Sequence, residues 1–232
     1  MSPRVAHDRA GEVPVPAAVE GTSDGADTGP AGRPRWVRGA VLVLAGLLLG
    51  VAGTIAVMAT RSSAPPDWGA DAGFARDMQT HHAQAVEMAL LVRDRSQDEE
   101  LRTVAYDIAT SQQQQAGQMY GWLVQWGLPQ TGSRPPMSWV GAEHGEAHAG
   151  ADGAMPGMAT PEQLDELRAA DGVAAERLFL RLMIAHHEGG VTMAEAAVAQ
   201  ARTEEVRTLA AAIAAAQSSE IQVLQRMLDD RS

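Results

Sequence analysis

The fold of this chain is decided by two stretches that repeat one pattern, FARDMQTHHAQAVEMA (residues 74–89) and FLRLMIAHHEGGVTMA (residues 179–194). Superposed without a gap, they align an opening Phe, two Met and an adjacent His-His pair. The same offset continues beyond the quoted stretches, where Ile108 falls on Ile213. A string of this length that recurs at one constant offset indicates an internal duplication.

The apolar residues of both copies recur at helical spacing, and each copy contains a second periodic segment after a short turn. Ser96 with Glu99, and Thr160 with Gln163, have the spacing of capping boxes, so a helix is expected to begin at each pair. Two helical hairpins that each bury one apolar stripe form a four-helix bundle. We therefore predict an all-α bundle over 71–232, with a first hairpin over 71–127, a Met- and His-rich crossover loop over 128–159 and a second hairpin over 160–232.

The N-terminal part of the chain predicts a membrane anchor. An uncharged apolar run between residues 39 and 60 is long enough to cross the hydrocarbon core, which takes about 20 residues. Arginines are concentrated before this run, so the positive-inside rule places the N-terminus in the cytoplasm and the bundle outside. A cleaved signal peptide is the alternative, although its apolar core is usually shorter. We predict a disordered cytoplasmic tail over 1–36, a transmembrane helix over 37–60 that has the lipid bilayer as its partner, and a linker over 61–70.

The composition excludes several classes of function. The chain has no Cys, so neither a disulfide nor a thiolate ligand or nucleophile is available. The net charge is −11, and the first 60 residues are neutral, so the acidic excess lies in the predicted outer domain. An acidic surface argues against nucleic-acid binding and attracts cations. Any metal site must use His, Met, carboxylate or backbone oxygen.

The His-His pairs border the apolar stripes of their helices. With about 100° of turn per residue, His81 and His82 lie on either side of Met78, and the second pair lies likewise around Met183. Burying several imidazoles is unfavourable unless each is bonded, so a repeated cluster flanked by Met favours a metal site over a set of satisfied core histidines. The predicted ligands are Met78, His81, His82, Met88, Met183, His186, His187 and Met193.

Two glutamines are predicted to orient these rings. In a hairpin that turns near residues 96–97, His82 lies opposite Gln112, and in the second copy His187 lies opposite Gln217. Gln112 and Gln217 are also equivalent in the repeat. We expect each amide to hydrogen-bond a His ring without binding the metal itself.

The donor types indicate the metal. His and Met without Cys suit a copper ion, because thioethers bind Cu(I) and imidazole binds either oxidation state. Zinc held by His and carboxylate stays open, whereas a di-iron centre is disfavoured because the predicted core helices contain no Glu-x-x-His. The crossover loop adds weaker candidates, which a flexible linker with incidental Met explains equally well: Met137, His144, His148, Met155 and Met158.

At its two M-x-x-HH strings, joined by a loop that contains MPGM, the chain resembles the domain of unknown function 305 (DUF305) family over residues 68–230. The resemblance implies a ferritin-like four-helix bundle, secreted or membrane-anchored in bacteria, with a proposed role in copper binding or tolerance. The eight predicted ligands occupy the motif positions. Gly190 departs from the first copy, which has Ala85 there, and glycine loosens a helix by about 1 kcal/mol.

These observations lead to the hypothesis of an extracytoplasmic protein that binds copper for storage, buffering or tolerance and exchanges it with a metal-handling partner. One alternative is a ligand-free structural or partner-binding bundle. A metal-dependent oxidoreductase is less favoured, because the sequence places no general acid or base beside the His pairs. Enzymatic activity is therefore left open but not expected.

Overall fold

The computed structural model describes residues 35–61, 64–140 and 155–231, and within these ranges every regular element is a helix. The predicted all-α class is confirmed. Residues 1–34 of the predicted tail and the middle of the crossover loop, with His144 and His148, lie outside the described residues, whereas residues 35–36 belong to the first helix. The contacts divide the chain after Arg61 into two compact units. The helices are α1 (Arg35–Arg61), α2 (Ala70–Arg95), α3 (Glu99–Gln125), α4 (Pro161–Ala169), α5 (Gly172–Gln200) and α6 (Glu204–Asp229).

Helix α1 forms the first unit. Its segment Trp36–Met58 has a mean hydropathy of 2.5 and, among the described helices, is the one long and apolar enough to cross a membrane. A membrane anchor and a signal sequence both satisfy this test of length and composition. The structure therefore shows one apolar N-terminal helix that suits either role.

The second unit is the predicted bundle of two helical hairpins, α2 with α3 and α5 with α6. Helix α2 also packs along α5, and the two run antiparallel. Asp71, at the start of α2, accepts hydrogen bonds from the backbone beyond the end of α5, at Arg202 and Thr203. Glu176, near the start of α5, accepts one from Ser96, beyond the end of α2. The short α4 packs against α2 and α5.

Two apolar clusters fill the bundle, one toward each end. One contains residues 72–78 of α2 and 193–197 of α5, and the other contains residues 85–92 of α2 and 178–183 of α5. The His-His pairs fall between these segments on both helices. The core is thus a polar layer of histidines held between two layers of aliphatic, aromatic and Met side chains.

One of the two predicted capping boxes is confirmed. The Thr160 hydroxyl accepts from the Gln163 amide, and the Gln163 side chain accepts from the Thr160 amide. The prediction for Ser96 is wrong, because Ser96 ends α2 and Asp98 caps α3 by accepting from the Leu101 amide. Asp is as effective a cap as Ser, and the Ser96 hydroxyl is already used in a hydrogen bond to Glu176.

Candidate metal centre

The two His-His pairs meet where α2 and α5 cross. All four side chains are fully buried. The rings of His81 and His186 lie face to face, with centroids 3.7 Å apart and planes inclined by 32°. Because these two residues are equivalent in the repeat, their contact marks the pseudo-twofold relation between the hairpins. His187 lies farther out, with its ring centroid 6.4 Å from that of His186.

Three of the four rings hydrogen-bond an oxygen through Nε2. His81 Nε2 lies 3.0 Å from the Pro156 carbonyl oxygen, and His82 Nε2 lies 2.8 Å from Gln115 Oε1. His187 Nε2 lies 2.6 Å from Glu220 Oε2. Each of these oxygens accepts, so each Nε2 carries the donated proton. In a neutral ring this tautomer leaves the lone pair on Nδ1.

Those lone pairs have no protein partner. Within the part of the chain that the structure describes, Nδ1 of all four histidines and Nε2 of His186 are buried without a hydrogen bond. A buried polar atom that makes no bond is unfavourable by about 1–3 kcal/mol. Metal-binding histidines have the same arrangement, in which one ring nitrogen donates to an oxygen and the other faces the ion.

Burial keeps most of these rings neutral. It lowers the pKa of His81 from 6.5 to about 4, outweighing the opposing hydrogen bond to Pro156. It lowers the pKa of His82 to about 3, with a further contribution from the neighbouring His81. For His186, burial and the surrounding histidines move the pKa well below 6.5. Neutral imidazole is the form that binds metals, so these side chains need no deprotonation near neutral pH.

The ring partners differ from those predicted. Gln112 and Gln217 are buried, but the described side-chain bonds of His82 and His187 go to Gln115 and Glu220, about one turn farther along α3 and α6. The predicted pairing counted Cα positions across the turn. Side chains on a helix lean toward its N-terminus, so a residue on the first helix of a hairpin meets a residue on the second helix whose Cα lies farther from the turn. Neither polar atom of Gln112 has a hydrogen-bond partner among the described residues.

Four predicted Met ligands flank the histidine layer, one pair on each side. Met78 and Met193 belong to the apolar cluster on one side, and Met88 and Met183 belong to the cluster on the other. All four are fully buried. The four thioether side chains therefore lie in the two apolar layers that border the histidines.

Three of the weaker candidates from the crossover loop are described. Met137 and Met155 are buried, and Met158 packs against the same apolar cluster as Met78. The Met137 amide donates to Asp77 Oδ2 at 2.7 Å. These residues anchor the two ends of the loop to the bundle.

The MPGM segment of the crossover loop covers the central ring pair, a position that the sequence analysis did not predict. We call residues 155–158 the strap. Its Pro156 carbonyl accepts from His81, and Gln84 holds the adjacent Ala159 through two hydrogen bonds of 2.9 and 2.7 Å. A Cβ atom on Gly189 would lie 2.1 Å from the Pro156 oxygen, so the strap requires glycine there. The adjacent pair Gly189-Gly190, unusual inside a helix, was the available signal.

The donor set decides which metals the centre suits. Among the described residues, no three His, Asp or Glu side chains converge as a metal site. In that part of the chain the structure therefore forms neither a carboxylate-rich centre, as in di-iron proteins, nor a site of three converged imidazoles. Neutral imidazole and thioether are present, and these donors together suit copper.

The family and structural relatives agree with this fold. The sequence-family model for the domain of unknown function DUF305 matches residues 71–228. No curated protein matches the chain.

Three solved proteins are similar in structure. A DUF305 protein from Streptomyces coelicolor, described as secreted, is 45% identical with a TM-score of 0.66, over 72% of this chain and 96% of that one. A DUF305 fragment from Deinococcus radiodurans is 33% identical with a TM-score of 0.58, over 72% and 98%. CopM in its Cu(II)-bound form is 26% identical with a TM-score of 0.54, over 71% and 99%, and CopM was also solved in a Cu(I)-bound form.

Proposed function

The chain belongs to the DUF305 family, and on that premise we propose that its helical domain is an extracytoplasmic copper-binding protein. The domain would store or buffer the ion, or confer tolerance to it. Copper is then the cargo, held by imidazole and thioether groups in the middle of the bundle.

The observation that carries the proposal is the set of buried ring nitrogens without partners. His81, His82 and His187 each use Nε2 to bond an oxygen and leave Nδ1 unbonded inside the core. A bundle that needed these residues only for packing would gain stability by replacing them with apolar side chains. An ion that accepts the lone pairs would offset the unfavourable burial.

The related protein CopM supports copper as the ion, since it was solved with Cu(I) and with Cu(II). We extend that property to this chain on the strength of its donors. The proposed ligands are His81, His82, His186 and His187, with the thioethers of Met78, Met88, Met183 and Met193 on either side of the histidine layer.

We also propose that α1 is retained as a membrane anchor. Arginines lie before its apolar segment, which favours a cytoplasmic N-terminus and an outer helical domain. The relative described as secreted supports an extracytoplasmic location for the domain. Cell fractionation of the full chain tests the anchor, because a cleaved signal sequence would release the domain into the soluble extracytoplasmic fraction.

Copper titration tests the main proposal. Residues 62–232 form a compact unit and can be titrated with Cu(I) without oxygen, and with Cu(II), against a coloured competing chelator. We expect binding, a melting temperature that rises with the metal, and loss of binding in His82→Ala/His187→Ala. Unchanged melting with both ions would instead indicate the ligand-free bundle.

Methionine variants separate sulfur ligation from packing. Met78→Leu keeps roughly the same volume while removing the sulfur, and such swaps usually cost less than about 1.5 kcal/mol. Met119→Leu is the matched control, because Met119 is also fully buried but lies outside the proposed ligands. Met78→Leu should weaken Cu(I) binding and Met119→Leu should not; equal effects would remove the thioethers from the proposal.

A further inference from the structure

The two halves of the centre differ at one pair of equivalent positions. Gln115 of the first copy and Glu220 of the second fall on each other in the repeat. Each bonds the Nε2 of an equivalent histidine, at 2.8 Å for His82 and at 2.6 Å for His187. Both rings are fully buried, whereas the Glu220 side chain is 29% exposed. The same bond is thus made by a neutral amide in one half and by an acid in the other.

We infer, on the premise that the proposed function holds, that this difference sets the oxidation state each half prefers. Glu220 makes the His187 half favour Cu(II), and Gln115 leaves the His82 half better suited to Cu(I). Glu220 acts through His187, so it is a positioning and charge-supplying residue and not itself a ligand.

Two physical effects of the carboxylate lead to this assignment. A carboxylate that accepts the Nε2 proton makes the opposite ring nitrogen a stronger donor. Its negative charge also attracts a bound ion in proportion to the charge of that ion, so Cu(II) gains more than Cu(I). An amide offers the same hydrogen bond without the net charge.

The alternative is that Glu220 only satisfies the buried ring. In that case its replacement changes the stability of the domain and affects both copper ions alike. The ratio of the two affinities therefore distinguishes the inference from a structural role.

The test exchanges the two residues in the 62–232 domain. We expect Glu220→Gln to weaken Cu(II) binding about tenfold, the lower end of the effect of such outer partners, and to leave Cu(I) binding nearly unchanged. The reduction potential of the bound copper then rises by about 59 mV, the value of a tenfold change for one electron. Gln115→Glu should shift both quantities in the opposite direction.

Glu188→Gln is the matched control, because Glu188 follows His187 directly but is exposed. It removes the same charge without touching the ring, and it should leave the potential within a few millivolts of the wild type, given screening of exposed charges.

The outcomes separate this inference from the function on which it rests. If the wild-type domain binds neither ion, the proposed function is wrong. If it binds copper but Glu220→Gln changes both affinities equally, or neither, the function stands and the inference is overturned. Should Glu220→Gln fail to fold by circular dichroism, Gln115→Glu alone decides, because a potential that does not fall in that variant contradicts the inference.

Discussion

His81 and His186 stack against each other at 3.7 Å between ring centroids, at equivalent positions of the two hairpins. The strap makes this contact asymmetric, because its Pro156 carbonyl bonds His81, while the described part of the chain offers His186 no hydrogen bond to either ring nitrogen. Polar groups that are buried without a hydrogen bond destabilise a core. The histidine layer is therefore a region where the burial of polar groups lowers the stability of the bundle.

The domain without metal should lose stability in mild acid. Burial lowers the pKa values of His81 and His82 from 6.5 to about 4 and about 3. As the pH falls from 6.5 toward these lowered pKa values, the unfolded chain therefore binds more protons than the folded one. The free energy of unfolding must then fall as the pH drops below 6.5, by up to about 1.4 kcal/mol per pH unit for each such group. Urea unfolding in the presence of a chelator, from about pH 7.5 to pH 5, measures this slope.

A variant identifies the source of that slope. His186→Leu removes one buried imidazole whose pKa is lowered and should make the pH dependence shallower over the same interval. Protonation of paired carboxylates also lowers the stability of a protein in acid, but at lower pH. A wild-type stability that stays constant between pH 6.5 and pH 5 would show that the rings are not buried as neutral groups.

Gly189 should be irreplaceable by alanine. Its absent Cβ leaves room for the Pro156 carbonyl, which would lie 2.1 Å from that atom. Overpacking of this kind typically costs about 1–3 kcal/mol, so we expect Gly189→Ala to lower the free energy of unfolding and to speed hydrogen exchange at residues 155–159. Gly117→Ala is the control, because Gly117 lies exposed in α3 with no atom near its Cβ position. That change should stabilise the domain by about 0.5–1 kcal/mol. A neutral Gly189→Ala would mean that the strap does not sit on α5.

The hydrogen bonds that Asp71 accepts between the two hairpins should contribute strongly to the stability of the domain. Its buried carboxylate accepts from the amides of Arg202 and Thr203 and from the Thr203 hydroxyl, while the Thr203 side chain makes no cap for α6 itself. Asp71→Ala leaves these donors without a partner, and we expect a loss of about 2 kcal/mol in chemical unfolding. Asp107→Ala, at an exposed position of α3, should stay within about 0.5 kcal/mol of the wild type. Equal effects of the two variants would contradict the role given to Asp71.

The duplication made most of the fold predictable. Both copies carry the same apolar spacing, so the all-α class and the pairing of the helices into two hairpins followed from periodicity and turn residues. The burial of the His-His pairs followed from the same spacing, since both residues border the apolar stripe. Helices set by period and caps depend mainly on nearby sequence, and that is why these features could be read without a structure.

The details of the centre depend on contacts that periodicity does not encode. The ring partner of His82 is Gln115 and not the predicted Gln112, because side chains lean along their helix axes and a count of Cα positions ignores this. The strap has no helical period, and its place is set by the missing side chain of Gly189, about 30 residues later in the chain. The cap at Asp98 was missed because Ser96 has a partner 80 residues away in sequence.

Gln112 should prove destabilising in the protein without metal. Its side chain is 2% exposed, and neither amide atom has a hydrogen-bond partner among the described residues. Replacing an unbonded buried amide by an apolar group of similar size removes a penalty of about 1–3 kcal/mol. We therefore expect Gln112→Leu to raise the melting temperature of the domain in the presence of a chelator, as scanning calorimetry can measure. Gln118→Leu in the exposed part of α3 is the control and should leave the melting temperature nearly unchanged.

If Gln112 is kept to support the histidine layer, the gain in stability should be accompanied by weaker copper binding, because buried polar groups at functional sites commonly trade stability for activity. A lower melting temperature in Gln112→Leu would show instead that the amide is bonded in solution, and the unfavourable burial assigned to this layer would have to be reduced accordingly.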